Sequence, residues 1–168
     1  MKKAVIASRE AGKTDREIYD EQGAVYFDKK SIAKIILGTV TPERKQQYKI
    51  YNILLLILIG ITILFKILIV AALAIAFGKP AVLLLALVVP IINIVFFVQV
   101  ARYDAGIYKI CGILTALSLA QSLTKLTNMT DVLVTMVLAG GIIGLSFFLS
   151  AKLFPDYKND PAKGLDGE

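Results

Sequence analysis

Between residues 50 and 151 the sequence is almost without charge, and its apolar residues fall into four runs of about twenty. Each run is long enough to carry a helix across a hydrocarbon layer ~30 Å thick. Only Lys66, Lys79, Arg102, Asp104, Lys109, Lys125 and Asp131 are charged in that stretch, and all but Lys66 lie near the ends of the runs. Hydrophobic residues make up 57% of the 168-residue chain, with a mean hydropathy of +0.70. A soluble domain holds ~45–50%, and the surplus is concentrated where spans would lie. Backbone polar groups inside lipid must be satisfied within the segment, which selects helices. The expectation is an all-α integral membrane protein, a four-helix transmembrane bundle with a short helical cytoplasmic N-terminal segment.

The punctuation of the chain sets the boundaries. Residues 1–41 form the cytoplasmic segment, 42–151 the four-span domain, and 152–168 a polar tail expected to be disordered. Thr41 caps a helix and Pro42 opens it, at the position where a missing N–H costs nothing. No breaker follows before Gly78, so one helix over 42–77 is predicted, about 54 Å long at 1.5 Å per residue. That exceeds a bilayer, so its membrane part begins near residue 53. Tyr48 and Tyr51 are then interfacial rings. Gly78-Lys79-Pro80 turns into a second span over 81–101, Arg102-Tyr103-Asp104 into a third over 105–125, and 125–130 into a fourth over 131–151, capped by Thr130.

Basic residues orient these spans. Eleven Lys and Arg precede residue 50, two lie in 102–109 and three follow residue 151, against Lys79 and Lys125 on the other side. Cytoplasmic loops carry this excess, so both termini are expected in the cytoplasm, with the spans in the cell (inner) membrane. The same distribution accounts for the net charge of +6 without nucleic acid. The first apolar run starts near Ile50, too late for a secretory signal. Asn128-Met129-Thr130 has the form of a glycosylation sequon, but its loop would hold the asparagine at the membrane surface.

Within the N-terminal segment, Thr14-Asp15-Arg16-Glu17 has the form of a capping box, predicting a helix from Asp15 after a first one over 3–11. Asp28 and Gly38 bracket a third helix. Its Ile32, Ile35 and Ile36 share one face, suited either to an anionic inner leaflet or to the cytoplasmic ends of the spans. Lys29, Lys30, Lys34, Arg44, Lys45 and Lys49 are the expected anchors to that leaflet.

Lys66 falls in the middle of the first span, where a lysine costs at least about 2.5–3.5 kcal/mol. Its stem reaches about 6 Å, while either interface lies roughly 15–20 Å away. Counting outward from Lys79, Asn93 on the second span reaches the same depth, and Thr115 on the third falls near it. Lys66, Asn93 and Thr115 are therefore the candidate midplane polar cluster, with Pro90 one turn from Asn93 freeing a backbone carbonyl. Such a layer serves either as a clasp that fixes helix register or as part of a solute pathway. Gly140 and Gly144 form a GxxxG pair, and Gly112, Ala116 and Ala120 a small-residue stripe. Both are expected to bring the third and fourth spans close together, with a homo-oligomer contact as the alternative.

No histidine is present, and the one cysteine is Cys111. No phosphate loop, nucleophile elbow or pair of intramembrane carboxylates occurs. No catalytic, metal or cofactor site is expected. The functional expectation is a non-catalytic subunit or scaffold of a membrane complex, docking a protein partner through its N-terminal segment. The alternatives are an oligomeric pore, including a holin-like or defence effector, and a small-solute transporter.

Overall fold

The computed structural model describes residues 2–25, 29–77, 90–123 and 128–157. Every regular element among them is a helix.

The chain begins with three short helices, α1 (Lys2–Glu10), α2 (Asp15–Val25) and α3 (Lys29–Leu37). Gly12 closes α1 at φ +82. Its N–H donates to the Arg9 carbonyl at 2.9 Å and that of Lys13 to the Ser8 carbonyl at 3.1 Å, the paired bonds of a left-handed cap that glycine makes without steric cost. The capping box opens α2. Thr14 N–H donates to Glu17 Oε2 at 2.7 Å, and Glu17 N–H donates to Thr14 Oγ1 at 3.3 Å. The bond from the Thr14 backbone, then that from its hydroxyl, hold the Glu17 carboxyl below its usual range.

Ile32, Ala33 and Ile36 of α3 are fully buried with Val5 of α1 and with Ile18 and Tyr19 of α2, forming a hydrophobic cluster of their own. This corrects the expectation that the face meets a leaflet or the spans. Two amphipathic neighbours cover it within the segment, while Lys30 and Lys34 stay exposed. Arg9 fastens the three helices together. Its Nε and Nη2 donate to the two Asp15 carboxylate oxygens at 2.8 and 2.9 Å, Nη2 also to the Ile36 carbonyl at 2.9 Å, and Nη1 to the Thr39 carbonyl. One fork thus joins the end of α1, the start of α2 and two carbonyls at and just beyond the end of α3.

The predicted single helix over 42–77 is two helices, α4 (Pro42–Gln47) and α5 (Lys49–Phe77). Tyr48 leaves helical geometry at φ −103, ψ 11, where its ring turns edge-on to Phe148, centroids 6.0 Å apart. Of the predicted second span, the described part is α6 (Ile91–Ala101), with Pro90 ahead of it. The 78–80 turn and the first half of that span lie outside the described residues. The third and fourth are α7 (Ala105–Leu123) and α8 (Met129–Leu153). The cap expected at Thr130 is displaced: Asn128 holds the N-cap position, extended at φ −90, ψ 127, without a side-chain capping bond.

Helix α5 packs against α6 and α8, and α7 packs against α8 and α6. Their contacts fix antiparallel pairings. Lys66 and Gly60 of α5 meet Asn93 and Phe97 of α6, Leu58 and Tyr51 meet Gly141 and Phe148 of α8, and on α7 Gly112 and Tyr108 meet Phe147 and Phe154. The start of α5, the end of α6, the start of α7 and the end of α8 therefore share one end. The cluster of Leu55, Ile59, Phe96, Val100, Tyr108, Cys111, Ile142 and Leu149 fills the space between the helices.

Two described helices are long and apolar enough to cross a membrane, Lys49–Ala76 and Met129–Leu153. Helix α7 is not one of them, its apolar run diluted by Lys109, Ser118, Gln121 and Ser122. The tail is not wholly loose where it begins: Tyr157 packs against Gly38, and Asp156 lies 3.8 Å from Arg44.

Candidate functional site

The buried positions of α5 run Asn52, Leu55, Ile59, Val70 and Ala74. Lys66 falls on this same line, at spacings of three and four that keep one helix face. Lys66 therefore points between the helices, not outward. Its Nζ donates to Asn93 Oδ1 of α6 at 3.0 Å, with both side chains half-buried. Phe96, one turn along α6 from Asn93, is buried. Gly60, one and a half turns below Lys66, faces the Phe97 ring, which a Cβ at that position would meet at 3.8 Å.

Thr115 does not join this pair. It lies on α7, which packs on α8 and α6, and there it stands with Ser146 beside the Cys111 thiol. Its depth differs as well: Tyr108 of α7 is level with Asn52 of α5, so Thr115 stands near Ile59, about 10 Å along the axis from Lys66 at 1.5 Å per residue. Asn93 Oδ1 is the single acceptor that reaches Lys66 among the described residues. The pair can hold an ammonium in register, but it offers no second titratable group to receive a proton.

A second polar group lies at the end shared by α4 and the 102–104 corner. Tyr108 Oη donates to Asn52 Oδ1 at 2.7 Å, Asn52 Nδ2 donates to the Val100 carbonyl at 3.3 Å, and Tyr108 Oη also lies 3.3 Å from that carbonyl. Asn52, Val100 and Tyr108 are each 1% exposed or less, so the network ties α5, α6 and α7 together out of water. Beside it, Tyr103 adopts φ 52. Tyr103 N–H to Val100 O at 3.1 Å and Asp104 N–H to Gln99 O at 3.1 Å make the same left-handed cap that closes α1, here without glycine and at a cost of about 1 kcal/mol or more. Burial pushes the Tyr103 phenol above its ordinary value, partly offset by the Asn52 side chain. The sequence reading missed this network. Its signal is the position of Asn52 on the line that carries Lys66.

The small residues divide. A Cβ at Gly112 would meet the Phe147 ring at 3.0 Å, so this glycine seats α8 on α7. Ala116 and Ala120 are exposed. Gly140 and Gly144 are exposed too, with no described residue within 4 Å of a Cβ built on either. This corrects the expected role of the GxxxG pair. Between α7 and α8 the close approach is made by Gly112 against Phe147, whereas Gly141 faces Leu58 of α5.

Of the expected leaflet anchors, Lys30, Lys34, Lys45 and Lys49 are exposed and Arg44 is half-buried. The Lys29 side chain lies outside the described residues. Lys45 Nζ stands 5.3 Å from the centre of the Tyr103 ring, which seats α4 on the 102–104 corner. No group of three metal-ligating side chains gathers among the described residues. Comparison with protein-family models, with curated proteins and with solved structures finds no match.

Proposed function

We propose that the chain is a non-catalytic, four-span membrane protein, a subunit or scaffold that docks a protein partner through residues 1–41 on the cytoplasmic side. The observation that carries this reading is the separate hydrophobic cluster of α1, α2 and α3, closed by Arg9. A segment that only coated a leaflet would leave Ile32 and Ile36 for lipid. One that buries them in its own core presents a shaped, charged exterior to another macromolecule.

Membrane insertion is supported by how the apolar helices are covered. Only 17% of the most apolar window of α5, and 17% of that of α8, is buried. The core helix of a soluble protein would be mostly buried. Here Leu64, Leu68, Ile69, Ile75 and Val137 are each more than half exposed, an apolar exterior that lipid accommodates and water does not. The antiparallel pairing of α5, α6, α7 and α8 accords with four crossings and with both termini on one side.

Deletion of residues 1–40 tests the docking role. The shortened chain should still insert and should lose a partner that the full chain retains through purification from its native membrane. Retention of the same partner by the shortened chain contradicts the proposal. A second reading, an oligomeric pore, is favoured by one observation: Lys66 faces inward and keeps donor capacity beyond its bond to Asn93. Membrane conductance that appears on expression and disappears in Lys66→Met would select it.

A further inference from the structure

Where the N-terminal helices meet the 102–104 corner they enclose a groove of about 260 Å³. Four cationic side chains from four places in the chain line it: Lys2 at the start of α1, Arg9 at its end, Lys45 on α4 and Arg102 after α6. Glu10 is the one carboxylate in the lining. Arg9 is already matched by both oxygens of Asp15. Set Glu10 against one of the remaining three, and a surplus of two positive charges is left in one small space. The neighbouring groove, of about 180 Å³, shares Lys2 and Thr39 and sets Lys34 against Asp104, which adds no net charge.

Like charges brought together in this way repel unless an anion lies between them. The groove is not merely a solvated surface, because its walls are fixed. Lys45 is seated on the Tyr103 ring, and Arg102 and Tyr103 are held by the left-handed cap that ends α6. A surplus of two charges, three ammonium donors on each lysine and the planar fork of Arg102 match a phosphate group. Ile6 and Ala101 in the same lining suit the carbon skeleton that a phosphate ester brings with it.

We propose that this groove binds the phosphate of a small phosphate ester, either the headgroup of an anionic phospholipid or a soluble phosphomonoester. The charge of the groove does not depend on the membrane reading. Only a lipid source does, and the two arms of the test separate the sources.

The full chain is placed in nanodiscs of phosphatidylcholine with phosphatidylglycerol, and the lipid kept after release is read by native mass spectrometry. In the second arm, glycerol 3-phosphate is titrated into the detergent-solubilised chain. Binding in at least one arm is expected to weaken about fivefold for Lys2→Gln or Lys45→Gln, and about 25-fold for Lys45→Gln with Arg102→Gln. Lys152→Gln, which removes an exposed charge outside the groove, should leave it unchanged. Lys2 is exposed at the start of its helix, so its variant reports even if the pair fails to fold. Loss in the nanodisc arm alone assigns a lipid, and loss in the titration alone a soluble ester. Binding in neither arm, or an equal loss in Lys152→Gln, overturns the proposal.

Discussion

Lys66 Nζ and Asn93 Oδ1 lie 3.0 Å apart, joining two helices at a position twenty-seven residues apart in sequence. The ammonium lies on the inward line of α5 and has no other acceptor among the described residues, so each partner should be worth most when the other is present. In a double-mutant cycle, Lys66→Met and Asn93→Leu should couple by about 1 kcal/mol. Asn93→Leu alone should destabilise more than Lys66→Met, because it strands a charge that the methionine removes. Unfolding in mixed micelles measures both.

Arg9 holds the N-terminal unit by four hydrogen bonds from a side chain only 8% exposed. Arg9→Met should destabilise the unit by about 2–3 kcal/mol, since it takes the guanidinium from Asp15 and from the Thr39 carbonyl, while the Ile36 carbonyl keeps only the Thr39 N–H at 3.1 Å. Arg9→Lys should recover little, because an ammonium cannot span the fork geometry. Amide exchange over residues 2–39 reads the loss, while exchange in α8 should stay as it is.

Glu17 gives that unit an acid-sensitive edge. Its folded pKa lies below its ordinary value of 4.5, chiefly through the bond from the Thr14 backbone. A carboxylate with a depressed folded pKa contributes stability that is complete above the unfolded value and is lost as pH falls through the folded one. Amide exchange at the start of α2 should therefore quicken on acidification below about 4.5. In Glu17→Gln the same amides should show no step in that range.

Tyr108→Phe removes the hydroxyl that donates to Asn52 Oδ1 at 2.7 Å. With Asn52 1% exposed, its freed acceptor has no water to turn to, and a loss of about 1–2 kcal/mol is expected. Thermal unfolding in detergent checks it. An unchanged midpoint would mean that the network contributes nothing.

At Gly38 an added Cβ would stand 2.7 Å from the Lys34 carbonyl and 3.3 Å from the Tyr157 ring. Gly38→Ala should therefore force α3 away from the tail, at a cost of about 1–3 kcal/mol. Faster proteolytic cleavage in 38–41 and around residue 157, with unchanged membrane insertion, is the expected readout.

What the sequence made legible follows from what a helix repeats. A fixed rise per residue lets depth be counted from a turn, which places Lys66 and Asn93 level before any coordinates are seen. For Thr115 the count fails in height and azimuth alike: Tyr108 is level with Asn52, which leaves Thr115 about 10 Å from the level of Lys66 at 1.5 Å per residue, on a helix that packs on α8 and α6. The capping box at Thr14 and Glu17 is local and reads directly. Arg9 is different, because its partners Asp15, Ile36 and Thr39 come from three turns of chain that sequence alone does not bring together. Gly38 reads as a helix stop, and its second role, admitting Tyr157, is a tertiary fact. Tyr48 reads from sequence as lying inside one long helix. Its packing on Phe148 accompanies the break between α4 and α5.

The central claim is that the four apolar runs cross a bilayer with both ends on one side. Single cysteines placed by Lys13→Cys, Lys79→Cys and Asp156→Cys in a Cys111→Ser chain can be tested with a membrane-impermeant thiol reagent in sealed vesicles. The account predicts that positions 13 and 156 react from the same face and position 79 from the opposite one. Labelling of 13 and 156 from opposite faces, or release of the chain into the aqueous fraction, would contradict it.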